Sequence, residues 1–156
     1  MSIQKVALKF CSWNVQGGLR RKSQDDDFVS YLEEFDFVCL QETWLKPGDN
    51  FRVESFSYFR SDRDLKKRSK RNSGGIVFMF RQKYTKGITK LPTRHPDFLW
   101  CKLDKSFFGL ERDLFVGGVY FSPEYSTSFE TNNNMLFDTL NDDISKYSNQ
   151  GNIMLL

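Results

Sequence analysis

The sequence predicts an α/β or α+β fold of about seven strands and two main helices. The chain opens with a strand, a helix and a second strand, the order that produces parallel pairing. Aromatic residues make up 16% of the chain, with 16 phenylalanines, and such side chains suit half-buried sheet surfaces. Its 156 residues correspond to one domain that buries about 68–70% of its unfolded surface.

The first three elements follow from apolar runs and one capping pattern. Residues 6–15 form the first apolar run. Ser23 begins a helical pattern whose apolar residues recur as far as Phe35. Three aspartates at 25–27 favour the first turn of that helix. Residues 36–41 are nearly all apolar, which predicts a strand buried on both faces.

Further strands and a second long helix are predicted after the turn cluster at 47–50. The strand candidates are residues 56–60, 76–81, 88–91, 98–103 and 114–121, the last two joined by a turn near Gly109. Residues 129–147 carry an apolar stripe at helical spacing. Residues 153–156 are then read as the opening of a buried strand, so we expect the chain to stop within a structural element.

The net charge of +3 is unevenly distributed. Residues 60–71 hold seven bases and two acids, a net +5, so the remaining 16 bases and 18 acids give −2. Because this segment lies between two predicted strands, we expect a loop. Its lysines and arginines have three interpretations: contact with DNA phosphates, a nuclear-import-like cluster, or a solvated loop. On the first of these interpretations, the DNA contacts are Lys66, Lys67, Arg68, Lys70 and Arg71.

Composition argues against several other classes of protein. The three cysteines, Cys11, Cys39 and Cys101, are far apart, and the chain has a single histidine, so neither a zinc site nor a disulfide framework is supported. No apolar run approaches 18 residues and the amino-terminal residues lack a secretory pattern. These features predict an intracellular protein, nuclear or cytoplasmic, with reduced thiols.

Polar side chains of a particular kind follow three apolar runs. Asn14 ends the first strand, Gln41 and Glu42 end the second, and Tyr120 ends the strand candidate at 114–121. In α/β sheets, ligands bind at the carboxyl ends of strands. A carboxylate is a hard ligand for Mg²⁺, and an amide and a phenol can hydrogen-bond phosphate oxygens. Taken singly, each residue also has an ordinary interpretation as a turn, cap or rim residue.

Four motifs in order resemble the endonuclease/exonuclease/phosphatase superfamily, which includes DNase I-like enzymes, and most of all the endonuclease domain of LINE-type non-LTR retrotransposons. The motifs are Ser12-Trp13-Asn14-Val15-Gln16-Gly17, Leu40-Gln41-Glu42-Thr43-Trp44, Ser73-Gly74-Gly75-Ile76-Val77 and Val119-Tyr120-Phe121-Ser122-Pro123. The resemblance spans residues 10–156. It implies a four-layered α/β sandwich and metal-dependent hydrolysis of a phosphodiester that nicks DNA.

The resemblance also implies the role of each site residue. Glu42 is the metal-ligand carboxylate for Mg²⁺ or Mn²⁺, and Asn14 lies beside it to orient the metal site and the scissile phosphate. Tyr120 contacts the phosphate, and Gln41 supports Glu42 through hydrogen bonds. DNA is the implied partner, together with the reverse transcriptase portion of a parent polyprotein.

Two parts of the family pattern lie outside these residues. In the family, a run like 153–156 leads into Gly-Asp-Phe-Asn, and a Ser-Asp-His follows further on. His95 matches neither, and we interpret it as structural or surface. Residues 1–156 are therefore expected to be the N-terminal part of one such domain, with an incomplete second sheet, poor folding alone and no catalysis. A same-superfamily phosphatase fragment and a non-catalytic nucleic-acid-binding remnant remain alternative hypotheses.

Overall fold

Two four-stranded sheets pack face to face in the computed structural model, which describes residues 7–63, 74–121 and 129–156. The first sheet contains β1 (Phe10–Asn14), β2 (Phe37–Gln41), β3 (Phe56–Ser61) and β4 (Ile76–Arg81). The second contains β5 (Ile88–Lys90), β6 (Phe98–Leu103), β7 (Asp113–Val119) and β8 (Gly151–Leu155). The helices are α1 (Leu19–Lys22), α2 (Asp26–Leu32), α3 (Lys105–Phe108) and α4 (Phe129–Ser148), with a 3-10 helix at Gln82–Gly87.

The first sheet has the strand order β1-β2-β4-β3. β1 and β2 are parallel, with Asn14 opposite Gln41, which confirms the parallel pair predicted from the strand, helix, strand order. β4 runs antiparallel to both β2 and β3. The carboxyl ends of β1, β2 and β3 therefore meet the amino end of β4 at one edge of the sheet.

The second sheet has the order β5-β6-β7-β8. β6 is antiparallel to β7, whereas β7 and β8 are parallel and connected through α4. Directly after β8, the Leu156 carbonyl accepts a hydrogen bond from the Val119 backbone N–H at 3.1 Å. The carboxyl ends of β7 and β8 thus lie together with the amino end of β6.

Three apolar cores separate four layers. The central core lies between the two sheets and contains the buried side chains of Phe37, Cys39, Phe78, Leu99 and Cys101 among others. A second core packs α1 and α2 against the outer face of the first sheet. A third packs α4 against the outer face of the second sheet. This arrangement confirms the predicted four-layered α/β sandwich.

The aspartate cap predicted for the helix between the first two strands is confirmed for α2. That helix begins at Asp26 and not at Ser23, because Ser23 is the C-cap of the separate turn α1. The Asp25 carboxylate accepts the backbone N–H of Phe28 at 3.0 Å, and Asp26 and Asp27 occupy the first turn of α2. Negative charge there compensates the positive end of the helix dipole. α2 ends at Leu32, so Phe35 packs from the following turn instead of from the helix.

Other elements differ from the sequence-based expectation. The described residues contain eight strands and four α-helices; α1 and α3 are single turns of four residues, too short to show an apolar stripe. β7 ends at Val119, so Tyr120 follows the strand. β8 was expected to be buried, yet Leu155 is 45% exposed. Its exposure follows from its position, since among the described residues β8 pairs with β7 on one side only.

The three cysteines are free thiols, and two of them are fully buried in the central core. Burial raises the pKa of Cys39 to about 12 and also raises the pKa of Cys101. Cys11 is half-buried on β1. Within the described parts of the chain, no helix has both the length and the apolarity to cross a membrane.

Candidate active site

A phenol and a carboxylate from different sheets meet at the site. The Tyr120 hydroxyl donates a hydrogen bond to Oε1 of Glu42, which joins the segment after β7 to the segment after β2. Burial raises the pKa of the Tyr120 phenol, and the adjacent Glu42 carboxylate raises it further. Tyr120 therefore stays protonated throughout the neutral range and acts as a hydrogen-bond donor.

Asn14 stands at the end of β1, on the strand next to the one that leads into Glu42. It lies opposite Gln41 in the β1–β2 register, and its side chain is solvent-exposed. Its Oδ1 accepts the backbone N–H of Gln16 at 3.1 Å, an Asx-type contact that shapes the turn after the strand. Asn14 is thus an ordinary turn residue as well as the predicted site residue.

Gln41 has different partners from those expected. Its side-chain nitrogen donates to Ser12 Oγ at 2.8 Å and contacts Cys39 Sγ at 3.6 Å, with no hydrogen bond to the Glu42 carboxylate among the described contacts. The strand repeat explains this, since residues 39 and 41 point to the same face. Glu42 lies beyond the strand end, where its φ of 52° turns the backbone away.

The backbone around the site is held in an unusual conformation. Among the described residues, the three non-glycine residues with positive φ are Gln16 at 50°, Glu42 at 52° and Trp44 at 54°. All three lie in the segments that follow β1 and β2. Such conformations cost about 1–3 kcal/mol each and concentrate at functional sites.

Backbone hydrogen bonds connect these segments to one another. The Gly17 N–H donates to the Glu42 carbonyl at 2.7 Å, and the Trp44 N–H donates to the Gly74 carbonyl at 3.0 Å. Gly75 has a φ of 86°, and a Cβ there would lie 2.7 Å from Thr43 Oγ1. Gly75, which directly precedes β4, is therefore required for close approach of the segment that follows Glu42.

A buried ion pair lies behind Tyr120. Arg63 contacts both carboxylate oxygens of Asp97, and the Arg63 and Asp97 side chains are 17% and 3% exposed. The Arg63 guanidinium carbon lies 5.6 Å from the centre of the Tyr120 ring. The Asp97 carbonyl also accepts the Tyr120 backbone N–H at 3.1 Å. Asp97 therefore fixes the position of Tyr120 from two directions.

Sequence reasoning missed this ion pair. Asp97 directly precedes the apolar strand β6, and Arg63 is one of seven bases in the segment 60–71. An aspartate at the start of a strongly apolar strand signals a compensating cation, because a buried Asp is almost always paired. Nothing in the sequence indicates which of the seven bases that cation is.

His95 takes part in the turn that places Asp97. Its Nδ1 accepts the Asp97 backbone N–H at 3.1 Å, and its ring centre lies 5.6 Å from that of Phe98. Burial lowers the pKa of His95, and the neighbouring Arg63 lowers it further against the opposing effect of Asp97. This neutral, packed histidine has the structural contacts expected for it.

Residues 11–141 match the sequence model of the Endonuclease/Exonuclease/phosphatase family. The chain belongs to this family. The match includes Asn14, Glu42 and Tyr120. No curated protein sequence matches the chain significantly.

Solved structures of DNase I-like proteins share the fold. The catalytic domain of Xenopus laevis APE2 superposes with a TM-score of 0.64 at 16% identity, over 96% of this chain and 57% of that one. The endonuclease domain of TRAS1, a telomere-specific non-LTR retrotransposon, gives 0.61 at 6% identity, over 96% and 57%. D. rerio TDP2, complexed with a single-strand DNA product, gives 0.58 at 18% identity, over 95% and 58%. The chain thus spans less than 60% of the length of each.

Family members are generally metal-dependent, and the donors present here suit a hard cation. Glu42 supplies a carboxylate and Asn14 an amide oxygen, which are groups that Mg²⁺ accepts while keeping several waters. Over residues 7–63, 74–121 and 129–156, no cluster of three or more His, Cys, Asp or Glu side chains forms a closed metal cage. The donor set therefore fits a cation held mainly by water, substrate and one carboxylate.

The basic segment is described only in part. Lys66, Lys67, Arg68, Lys70 and Arg71 lie outside the described residues. Arg60 and Ser61 belong to β3, so the expected loop begins later than predicted, because their backbones complete the ladder with β4. Arg60 is paired with Asp62 at 2.6 Å. Together with the Arg63–Asp97 pair, this shows that the first two arginines of the segment have structural partners.

Proposed function

We propose that this chain is part of a metal-dependent phosphodiesterase that nicks DNA, of the kind found in non-LTR retrotransposons. The hydrogen bond between the Tyr120 hydroxyl and the Glu42 carboxylate carries the proposal. It brings together two of the groups implied by the motifs, from segments 78 residues apart. Family membership and the shared fold of DNA-processing proteins support it.

Each site residue has a distinct role in this proposal. Tyr120 engages Oε1 of Glu42, so in the described contacts Oε2 remains as the acceptor for a cation. A bound Mg²⁺ or Mn²⁺ would polarise a phosphoryl oxygen and stabilise the leaving alkoxide. Asn14 orients the phosphate with its amide. When substrate binds, the single Tyr120 hydroxyl proton would exchange its hydrogen bond to Glu42 for one to a phosphate oxygen as charge develops there.

We further propose that residues 1–156 form the N-terminal part of one domain of this type. They align over 95–96% of their own length with structures of which they cover 57–58%. Residues 1–156 alone are expected to bind the metal weakly and not to nick DNA. Of the described carboxylates at the site, Glu42 alone is not paired with a cationic side chain, so a single carboxylate is left to hold the metal. Nicking by residues 1–156 that Glu42→Ala abolishes would contradict this expectation.

The test is plasmid nicking by the longest natural polypeptide that contains these residues. In Mg²⁺, the native protein is expected to convert supercoiled to open-circular DNA, and Glu42→Gln is expected to slow this at least about 100-fold. Glu111→Gln is the matched control, since Glu111 is exposed in the turn before β7. Equal nicking rates for native protein and Glu42→Gln would refute the proposal.

Two other outcomes identify the alternatives. Intact plasmid with metal-dependent release of phosphate from a small phosphoester indicates a phosphatase of the same superfamily. DNA binding with neither hydrolysis nor metal dependence indicates a non-catalytic binding remnant. In that case, neutralising Lys66, Lys67 and Arg68 should lower the slope of log affinity against log salt concentration by the equivalent of about three phosphate contacts.

A further inference from the structure

Trp44 presents a large aromatic surface to solvent at the edge of the candidate site. Its side chain is 41% exposed, although it lies only two residues after Glu42. Its six-membered ring lies against the backbone of Gly17, where a Cβ would come within 1.9 Å of Trp44 Cε3. Because Gly17 has no Cβ, one face of the indole packs directly against its backbone.

The backbone fixes this indole in place at an energetic cost. Trp44 has a φ of 54°, a conformation that bulky residues rarely adopt. Its N–H is tied to the Gly74 carbonyl at 3.0 Å. The segment that receives the ring is itself tied to Glu42 through the Gly17 N–H at 2.7 Å. The backbones of Glu42, Trp44 and Gly17 thus belong to one hydrogen-bonded unit, which carries both the carboxylate and the indole.

The other two tryptophans differ from Trp44 in their surroundings. Trp100 is fully buried in the core beneath α4. Trp13 is 37% exposed but packs against Phe28 and Tyr31, with ring centres 5.3 and 5.5 Å away. Trp13 therefore covers α2, whereas Trp44 rests on a loop at the site.

The surface beside Trp44 is positively charged. Residues 15–24, which follow β1 and include Gly17, contain Arg20, Arg21 and Lys22 and no acid. Arg20 lies 3.7 Å from Asp49, which connects α1 to the turn immediately after Trp44. Lys46 in that turn is exposed. The opposing charges are Asp49, which pairs with Arg20 and accepts the Lys46 backbone N–H, and the aspartates that begin α2, of which Asp25 accepts the Phe28 backbone N–H.

We propose that Trp44 stacks on an unpaired base of the DNA strand whose phosphate lies at Glu42. The inference rests on the proposed function and names a contact that selects nucleic acid over a small phosphoester. An aromatic face accepts any base, and nearby cations neutralise the phosphates on either side. A small phosphoester has no base to reach this ring, so it gains nothing from Trp44.

The first experiment measures the affinity for a fluorescein-labelled single strand of about 12 nucleotides. Fluorescence anisotropy is recorded in EDTA with the natural polypeptide that contains these residues. Trp44→Ala is expected to weaken binding about 5- to 150-fold, and Trp44→Phe to retain most of the affinity. Trp13→Phe is the matched control, and DNA should still quench its tryptophan fluorescence. That quenching should disappear in Trp44→Phe.

The second experiment moves a single abasic site along the same strand. With the native protein, one position should weaken binding by the same factor as Trp44→Ala. In Trp44→Ala, an abasic site at that position should weaken binding no further, because the two changes remove the same contact. This coupling distinguishes stacking from a general loss of structure, which would leave the abasic penalty unchanged.

Each outcome bears on the inference separately from the proposed function. Equal affinities of native protein and Trp44→Ala, additive abasic penalties, or no DNA binding at all would overturn the stacking role. Loss of plasmid nicking in Glu42→Gln would meanwhile support the nuclease. If Trp44→Ala does not fold, the abasic scan of the native protein and the quenching lost in Trp44→Phe decide the question.

Discussion

Replacing Asp97 by alanine is expected to destabilise the protein by about 3 kcal/mol. The substitution removes the carboxylate that holds the Arg63 guanidinium behind Tyr120. Asp97 is 2% exposed as a residue, so water cannot substitute for its carboxylate without opening the start of β6. The change therefore disturbs the position of Tyr120 as well as the ion pair.

The magnitude follows from the burial of the two partners. Breaking a fully buried ion pair costs about 3–5 kcal/mol, mainly through the charge that remains. The Arg63 side chain is 17% exposed, so partial hydration places the cost at the lower end. For a chain of this length, about 3 kcal/mol corresponds to a fall in Tm of about 6–12 °C.

Urea denaturation followed by circular dichroism measures this change, since a shift in midpoint at constant slope reports stability alone. Asp142→Ala is the control, because Asp142 is 70% exposed and pairs with an exposed arginine. Its midpoint should equal that of the native protein. The double variant Arg63→Leu with Asp97→Leu should recover more than half of the loss, because apolar replacements remove both charges. A cost below about 1 kcal/mol for Asp97→Ala would refute the reasoning.

Three further predictions concern the site loop, the histidine and the thiols. Gly17→Ala should cost about 2 kcal/mol or more, because φ is +75° and the new Cβ would meet the Trp44 ring, and it should change the tryptophan near-UV circular dichroism. His95 has a lowered pKa, so its contribution to stability should be complete above pH about 6.5 and be lost as the pH falls through the folded-state value. Urea midpoints from pH about 7.5 to about 5 should show a smaller decline in His95→Gln, and equal declines would contradict this. Cys11, half-buried, should react with a thiol reagent at least about tenfold faster than buried Cys39, and equal rates would show that the core opens readily.

Local patterns in the sequence were sufficient for most of the fold. Parallel pairing of β1 with β2 follows from their apolar runs and the helix between them, and the strand at Ile76–Arg81 has the predicted bounds. The short helices were missed because four residues complete only about one turn. The exposure of Leu155 was missed because a strand's own residues do not reveal whether it is paired on both sides.

The candidate site was predictable only as a set of positions. Strand ends and motif order pointed to Asn14, Glu42 and Tyr120, and their catalytic roles stay predictions. The partner of Gln41 was not predictable, because Ser12 becomes its neighbour only through the register between β1 and β2. Asp97 was likewise absent from the expected site, since its partner comes from 34 residues away.

The amino-acid sequence by itself determined the elements, their order and the polar groups that end them, because apolar periodicity and turn chemistry act over a few residues. Tertiary structure alone decided which of those groups touch. The bond between Tyr120 and Glu42 and the ion pair behind it depend on how two sheets pack through a shared core. Such contacts depend on long-range packing and strand register, which no local pattern encodes.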